Sequence, residues 1–118
     1  MSTSIHRIES NPRLSRSVVH NGVAWLAGIV AADCTQDIRG QTRQVLERVD
    51  ELLAASGSDK SRLLSVQIWM KDMTADFAGM NETWSAWVDA AQTPARATCQ
   101  VMFDDPEILV EIIVTAAV

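Results

Sequence analysis

Three runs constrain this 118-residue chain more than anything else in it: VAWLAGI at residues 23–29, LLSVQIWM at 63–70 and VEIIVTA at 110–116. Each has the length and composition of a strand, and each is apolar at odd and even positions alike. A strand with one wet face alternates, whereas a strand apolar on both faces must be covered twice. Only two amphipathic helical segments are available as cover. Residues 37–56 place Val45, Leu46, Val49, Leu52 and Leu53 at helical spacing, with Arg43, Glu47, Arg48 and Glu51 on other faces. Residues 76–90 place Phe77, Met80, Trp84, Trp87 and Val88 on one side. Both helices fit on one face of a sheet, so the second apolar face predicts association between copies of the chain.

The turn residues order these elements. Residues 4–9 read as a short edge strand, closed by a turn at Asn11, Pro12 and Arg13. A second strand begins at Val18 and Val19, and Asn21-Gly22 is a hairpin signal leading into the VAWLAGI strand. Gly28, near the end of that run, predicts a close backbone approach or a bulge. Thr35 or Asp37 suits the cap of the first helix, and Gly57 suits its C-terminal stop. Residues 95–103 and 109–116 supply two last strands, joined through Asp104, Asp105 and Pro106. The order is β-β-β-α-β-α-β-β. It implies an α+β two-layer sandwich, a mixed six-stranded sheet with two helices on one face, in a single domain spanning 1–118.

Charge narrows the partners. Ten Lys and Arg stand against 15 Asp and Glu, giving a net charge of −5 with no basic block. Nucleic acid is therefore not an expected partner. No apolar run approaches the ~18 residues of a membrane span, and the polar N-terminal residues do not read as a signal peptide. Cys34 and Cys99 are far apart without metal-ligand spacing. They are expected as free thiols in a cytoplasmic protein.

Few residues suggest chemistry. His6 and His20 have no second His or Cys near them, so no metal is expected and both read as structural or surface residues. Residues 57–61 (GSDKS) look superficially like a phosphate loop, but they follow a helix and lack its glycine spacing, and they read as a helix-ending turn. The four tryptophans fit core positions, with Trp84 and Trp87 best suited to partial exposure. Cys99, in an apolar strand, reads as a buried, inert thiol. Arg96 and Glu111 stand out because each interrupts a strand otherwise poor in charge. The arginine needs an anion, either an internal carboxylate or one brought by a ligand. The glutamate is either paired or raised in pKa for acid–base work.

Around these two residues a resemblance emerges. The stretch Pro94-Ala95-Arg96-Ala97-Thr98-Cys99-Gln100-Val101, followed by Val110-Glu111-Ile112, resembles the RidA family (reactive intermediate deaminases, YjgF-type), with the same fifteen-position spacing from Arg96 to Glu111. Phe77 to Trp84 (FAGMNETW) is similar to that family's Phe-x-x-x-Asn helix, and the segment from Asn21-Gly22 to Gly28 to its early hairpin strand. The similarity covers nearly everything from Val18 onward and is nearest to a shorter branch of the family. It implies a chorismate-mutase-like fold, a homotrimer, and sites in clefts between subunits. The implied activity is hydrolysis of reactive 2-enamino or 2-imino acids to 2-oxo acids and ammonia, without metal or organic cofactor.

Carried over by position, Arg96 would hold the substrate carboxylate, the backbone at Thr98 would orient the reacting end, Glu111 would position and activate water, and Asn81 would support the site. On this reading one domain supplies both Arg96 and Glu111, and its neighbour supplies the other wall. The chain departs from the family pattern in three places. Thr98 stands where many members carry cysteine, Ser15-Arg16-Ser17 where many carry an aromatic, and Ala27-Gly28-Ile29 where Ser/Thr-Gly-Gln is usual. The competing expectation is a non-catalytic trimer that binds small carboxylates in a regulatory or chaperone-like role. The endoribonuclease label sometimes attached to this family conflicts with the acidic charge and the lack of a histidine pair.

Overall fold

The computed structural model describes residues 4–118. Seven strands and two helices run in the order β1 (His6–Ser10), β2 (Ser15–His20), β3 (Val23–Leu26), β4 (Ile29–Val30), α1 (Ile38–Ala55), β5 (Leu63–Met70), α2 (Met73–Trp87), β6 (Ala95–Gln100) and β7 (Val110–Ala117). A single 3-10 turn at Lys60–Arg62 leads into β5. The sheet order is β1-β2-β3-β7-β5-β6, with β4 also paired to β7. Only β5 and β6 run parallel as neighbours. Each helix joins two strands that point the same way, β4 to β5 across β7 and β5 to β6 directly. Right-handed crossovers of that kind put both helices on one face.

The fold class is as expected, and the strand count is seven rather than six. The extra strand comes from a break in the 23–29 run. Trp25 pairs with Thr115 and Ile29 with Ile112, so three residues of one strand lie opposite two of β7. That is a β-bulge at residues 26–28, with Gly28 inside it. The hairpin at Asn21-Gly22 forms as read, both residues at positive φ (50° and 76°). Asp37, not Thr35, caps α1 by accepting from the Gly40 amide. Gly57 ends that helix at φ 83°, so residues 57–61 form the expected helix-ending turn. Helix α2 begins at Met73 rather than 76, because Asp72 caps it through the Ala75 amide, and it stops at Trp87 rather than 90.

The core lies between the helices and one sheet face. Val45, Leu46, Val49, Leu52 and Leu53 of α1 meet Val66, Ile68 and Met70 of β5 and Val110, Ile112, Val114 and Ala116 of β7, all buried. Gln41 is buried with them. Its side-chain amide donates to the carbonyls of Cys34, Gln36 and Glu107 and its oxygen accepts from the Leu109 amide, which ties α1 to the loop before β7. The opposite face is only partly covered. Trp25 is 45% and Leu64 48% exposed, beside half-buried Trp69 and Ile113. Trp87 is partly exposed as expected, but Trp84 is buried at 5%, and the most accessible ring is Trp25, because its register with Thr115 turns it away from the helices. No helix among the described residues is long and apolar enough to cross a membrane.

Candidate functional site

Arg96 sits on β6, the edge strand, in register with buried Val66, and so projects toward the helices. There it meets α2. Its Nη1 donates to Asn81 Oδ1 at 2.8 Å, and its guanidinium lies 5.7 Å from the centre of the Trp84 ring. Trp84 is braced in turn by Trp87, 5.4 Å away, whose indole N–H donates to Asp50 Oδ2 of α1. The helix asparagine and the arginine are thus brought together as a unit. Among the described residues Arg96 has no carboxylate partner, so the internal ion pair is not formed. One amide contact and one ring face leave the remaining N–H donors of the fork free for a planar anion.

Thr98 follows two positions along on the same side, opposite Ile68. The Val101 amide donates to the Met70 carbonyl, which sets the alternation of β6: odd-numbered residues bond to β5. The backbone groups of Arg96 and Thr98 therefore point out from the open edge of the sheet, where a ligand can reach them. Cys99 is a correction to the sequence reading. It is exposed, not buried, because β6 is an edge strand whose second face lies uncovered.

Glu111 lies on the other side of the sheet. It pairs with Trp69 of β5 and Val30 of β4, both outside the helix-facing core. It is half-buried, and its carboxylate rests against Gly28: a Cβ built there would lie 2.3 Å from Oε2. Gly28 has an ordinary φ, so the close approach of the carboxylate is what requires a residue without a side chain. Burial, and secondarily the negative charge of Asp104, push the Glu111 pKa up.

Arg96 and Glu111 are not brought together within one chain. Val66 and Trp69 mark their rows, three positions apart and of opposite parity, with β5 between their strands. At ordinary strand dimensions the two Cα atoms are about 14 Å apart, with side chains on opposite faces. The expectation that one domain supplies both to one ligand is therefore overturned.

The histidines form no site with each other. His6 shares a face with Val19, and His20, the next residue, points the other way and contacts the Ser4 carbonyl through Nδ1. No group of three His, Cys, Asp or Glu among the described residues is placed to hold a metal. The residue whose part in the site sequence reasoning missed is Trp84, read as a core position suited to partial exposure and not as a partner of Arg96. Its three-residue spacing from Asn81 was the available signal.

Known proteins share this fold. Residues 4–118 match the family model described as Endoribonuclease L-PSP. A RutC family protein of Haemophilus ducreyi is 40% identical over 114 residues, covering 97% of each chain. A crystal structure of a YjgF-family protein from Neisseria meningitidis superposes with a TM-score of 0.93 at 40% identity, covering 98% of this chain and 95% of that one. Reactive Intermediate Deaminase A, chloroplastic, of Arabidopsis thaliana is 32% identical over 93 residues, 74% of this chain and 49% of that protein. The chain belongs to the YjgF (RutC/Rid) family.

Proposed function

We propose that the protein hydrolyses 2-imino and 2-enamino acids to 2-oxo acids and ammonia, at clefts built between the subunits of a homotrimer. The observation that carries this reading is the state of Arg96: an arginine fixed by Asn81 and Trp84 yet lacking any carboxylate partner among the described residues. Such a group is organised for an anion that the chain does not itself supply. The deaminase name of the Arabidopsis relative supports the same chemistry.

In this mechanism the substrate carboxylate lies on the Arg96 fork, and the Thr98 backbone edge steadies it. An enamine first moves a proton from nitrogen to carbon to become the imine. Water then adds to C2 of the imine, Glu111 accepting one of its protons and returning it to nitrogen. The hydroxyl proton of the resulting carbinolamine passes to the amino group, the C–N bond breaks as C=O forms, and ammonia leaves. Carbon exchanges its double bond to nitrogen for one to oxygen, and nothing is oxidised or reduced. The raised pKa of Glu111 suits a group that both takes and gives a proton. An imine is already electrophilic, so holding the carboxylate and placing water supply most of what is needed.

Because the two groups of one chain face opposite ways, the working pair is Arg96 of one subunit and Glu111 of the next. The partly uncovered apolar face around Trp25, Leu64 and Ile113 is the surface on which the subunits assemble. The endoribonuclease description of the family model is not carried over, since the charge is −5 and the two histidines point apart.

The test is release of 2-oxo acid and ammonia from a freshly generated imino acid, with light scattering on the same sample. We expect catalysis above the spontaneous rate, loss of at least about tenfold in Arg96→Ala, and a mass about three times that of the chain. Carboxylate binding without turnover would assign the non-catalytic role instead. A mass of 12.9 kDa would remove the cleft altogether.

A further inference from the structure

Arg96 is held from a distance as well as at its own contacts. Its guanidinium ends a long side chain on an exposed strand, and the Asn81 bond fixes only Nη1. The Trp84 ring, over which Cζ lies at 5.7 Å, supplies the second restraint. That ring is only 5% exposed, so a ligand cannot stack on it, and it serves the site through the arginine alone.

Trp84 is set in turn by its neighbours. Trp87, the last residue of α2, meets it with ring centres 5.4 Å apart and planes inclined by 49°. A helix end frays readily, and the chain beyond this one leads through residues 88–94 to β6 and Arg96. Trp87 is pinned there from α1: its indole N–H donates to Asp50 Oδ2 at 2.9 Å. Lys60 Nζ, 5.4 Å from the ring centre, covers it further. Asp50 itself is exposed and forms no ion pair among the described residues, and the indole is the partner the fold gives it. Contacts thus run from Asp50 to Trp87 to Trp84 to Arg96, from the middle of one helix through the end of the other to the edge strand.

Resting on the imine-hydrolysing reading, we propose that Asp50 and Trp87 are positioning residues of the carboxylate site: through Trp84 they hold the Arg96 fork ready for the substrate carboxylate. An arginine already held loses less freedom when it takes an anion. The carboxylate contact is the same in substrate and transition state, so the two residues act on KM and not on kcat. A purely electrostatic role has the opposite sign. Removing a negative charge from α1 would by itself strengthen anion binding, whereas losing the Asp50 anchor weakens it.

The experiment measures 2-oxobutanoate binding by calorimetry, and KM and kcat for a freshly generated imino acid. It uses the intact protein, Asp50→Ala, Asp50→Asn, Trp87→Phe and the Asp50→Ala/Trp87→Phe double variant. Asp50→Ala removes the acceptor, and Trp87→Phe removes the N–H but keeps an aromatic ring. We expect Kd and KM to rise about fivefold in each, with kcat within about twofold of wild type. The double variant should match the single ones, since all three remove the same bond. Asp50→Asn, which keeps an acceptor oxygen without the charge, should restore tight binding. Circular dichroism establishes that each variant is folded. Several results would overturn the proposal: unchanged Kd or tighter binding in Asp50→Ala, a fall in kcat alone, additive effects in the double variant, or an Asp50→Asn variant as weak as Asp50→Ala. If Kd moves as expected while no imino acid is hydrolysed, the positioning role stands and the hydrolytic reading fails. If imino acids are hydrolysed while Kd and KM stay unmoved, hydrolysis stands and the positioning role fails.

Discussion

If Arg96 and Glu111 act across a subunit boundary, two dead proteins can make a live one. The perturbation is to combine Arg96→Ala chains with Glu111→Gln chains. Within a chain the two positions are about 14 Å apart on opposite faces of the sheet, so neither parent can assemble a site. In a cyclic trimer each site takes its arginine from one chain and its glutamate from the next. A trimer holding both kinds of chain therefore has one complete site, whichever kind is in the majority. Hybrids purified through two different tags should show about one third of wild-type activity, and an unsorted equal mixture about one quarter. The assay is 2-oxo acid release per chain, after refolding the chains together or expressing them together. Sites built within one chain would leave every hybrid as inactive as its parents, and that result would refute the geometric argument.

Three further outcomes follow from particular contacts. Gly28→Ala puts a methyl 2.3 Å from Glu111 Oε2, the end of a flexible side chain. It should therefore change stability in urea by less than about 1 kcal/mol while costing activity at least tenfold, as ~1.4 kcal/mol of lost transition-state stabilisation would. Gln41→Leu removes the buried amide and leaves the carbonyls of Cys34, Gln36 and Glu107 and the Leu109 amide without it; unfolding midpoints should report a loss of roughly 3–5 kcal/mol. For Glu111 the raised folded pKa fixes the sign of the pH dependence. Its favourable contribution is complete below the ordinary glutamate value and is lost as pH rises through the raised one, so Glu111→Gln should melt higher than wild type at neutral pH and not in acid. In activity profiles Asp104→Asn should move the acidic limb to lower pH, since Asp104 is the charge that helps raise it.

The fold was legible because its signals are local. The α1 stripe, the Asn21-Gly22 turn and the Gly57 stop each depend on residues a few positions apart, and each forms where expected. Gly28 was legible too, as either a bulge or a close approach, and it is both. What the sequence could not reveal is set by partners distant in the chain. Cys99 lies in an apolar run, yet its strand is at the edge of the sheet, a property of topology alone. The faces of Arg96 and Glu111 depend on which residues of β5 stand beside them, Val66 and Trp69. The fifteen-position spacing that marks the pair says nothing of that register. The exposure of Trp25 and the burial of Trp84 were hidden for the same reason.

The bulge at residues 26–28 carries a consequence of counting. Trp25 and Val30 are five positions apart, an odd number, and in an unbroken strand they would face opposite ways. Here both share a face, because their partners Thr115 and Glu111 are four apart. The inserted residue works as a parity switch in the chain. Deleting it, with β4 held in place, would make the strand continuous and turn every side chain of β3 over. Trp25 would be driven beneath the helices, and Leu26 would be turned out into water. The length of this segment is thus under stricter constraint than its composition, and a one-residue deletion here should be far more damaging than most substitutions.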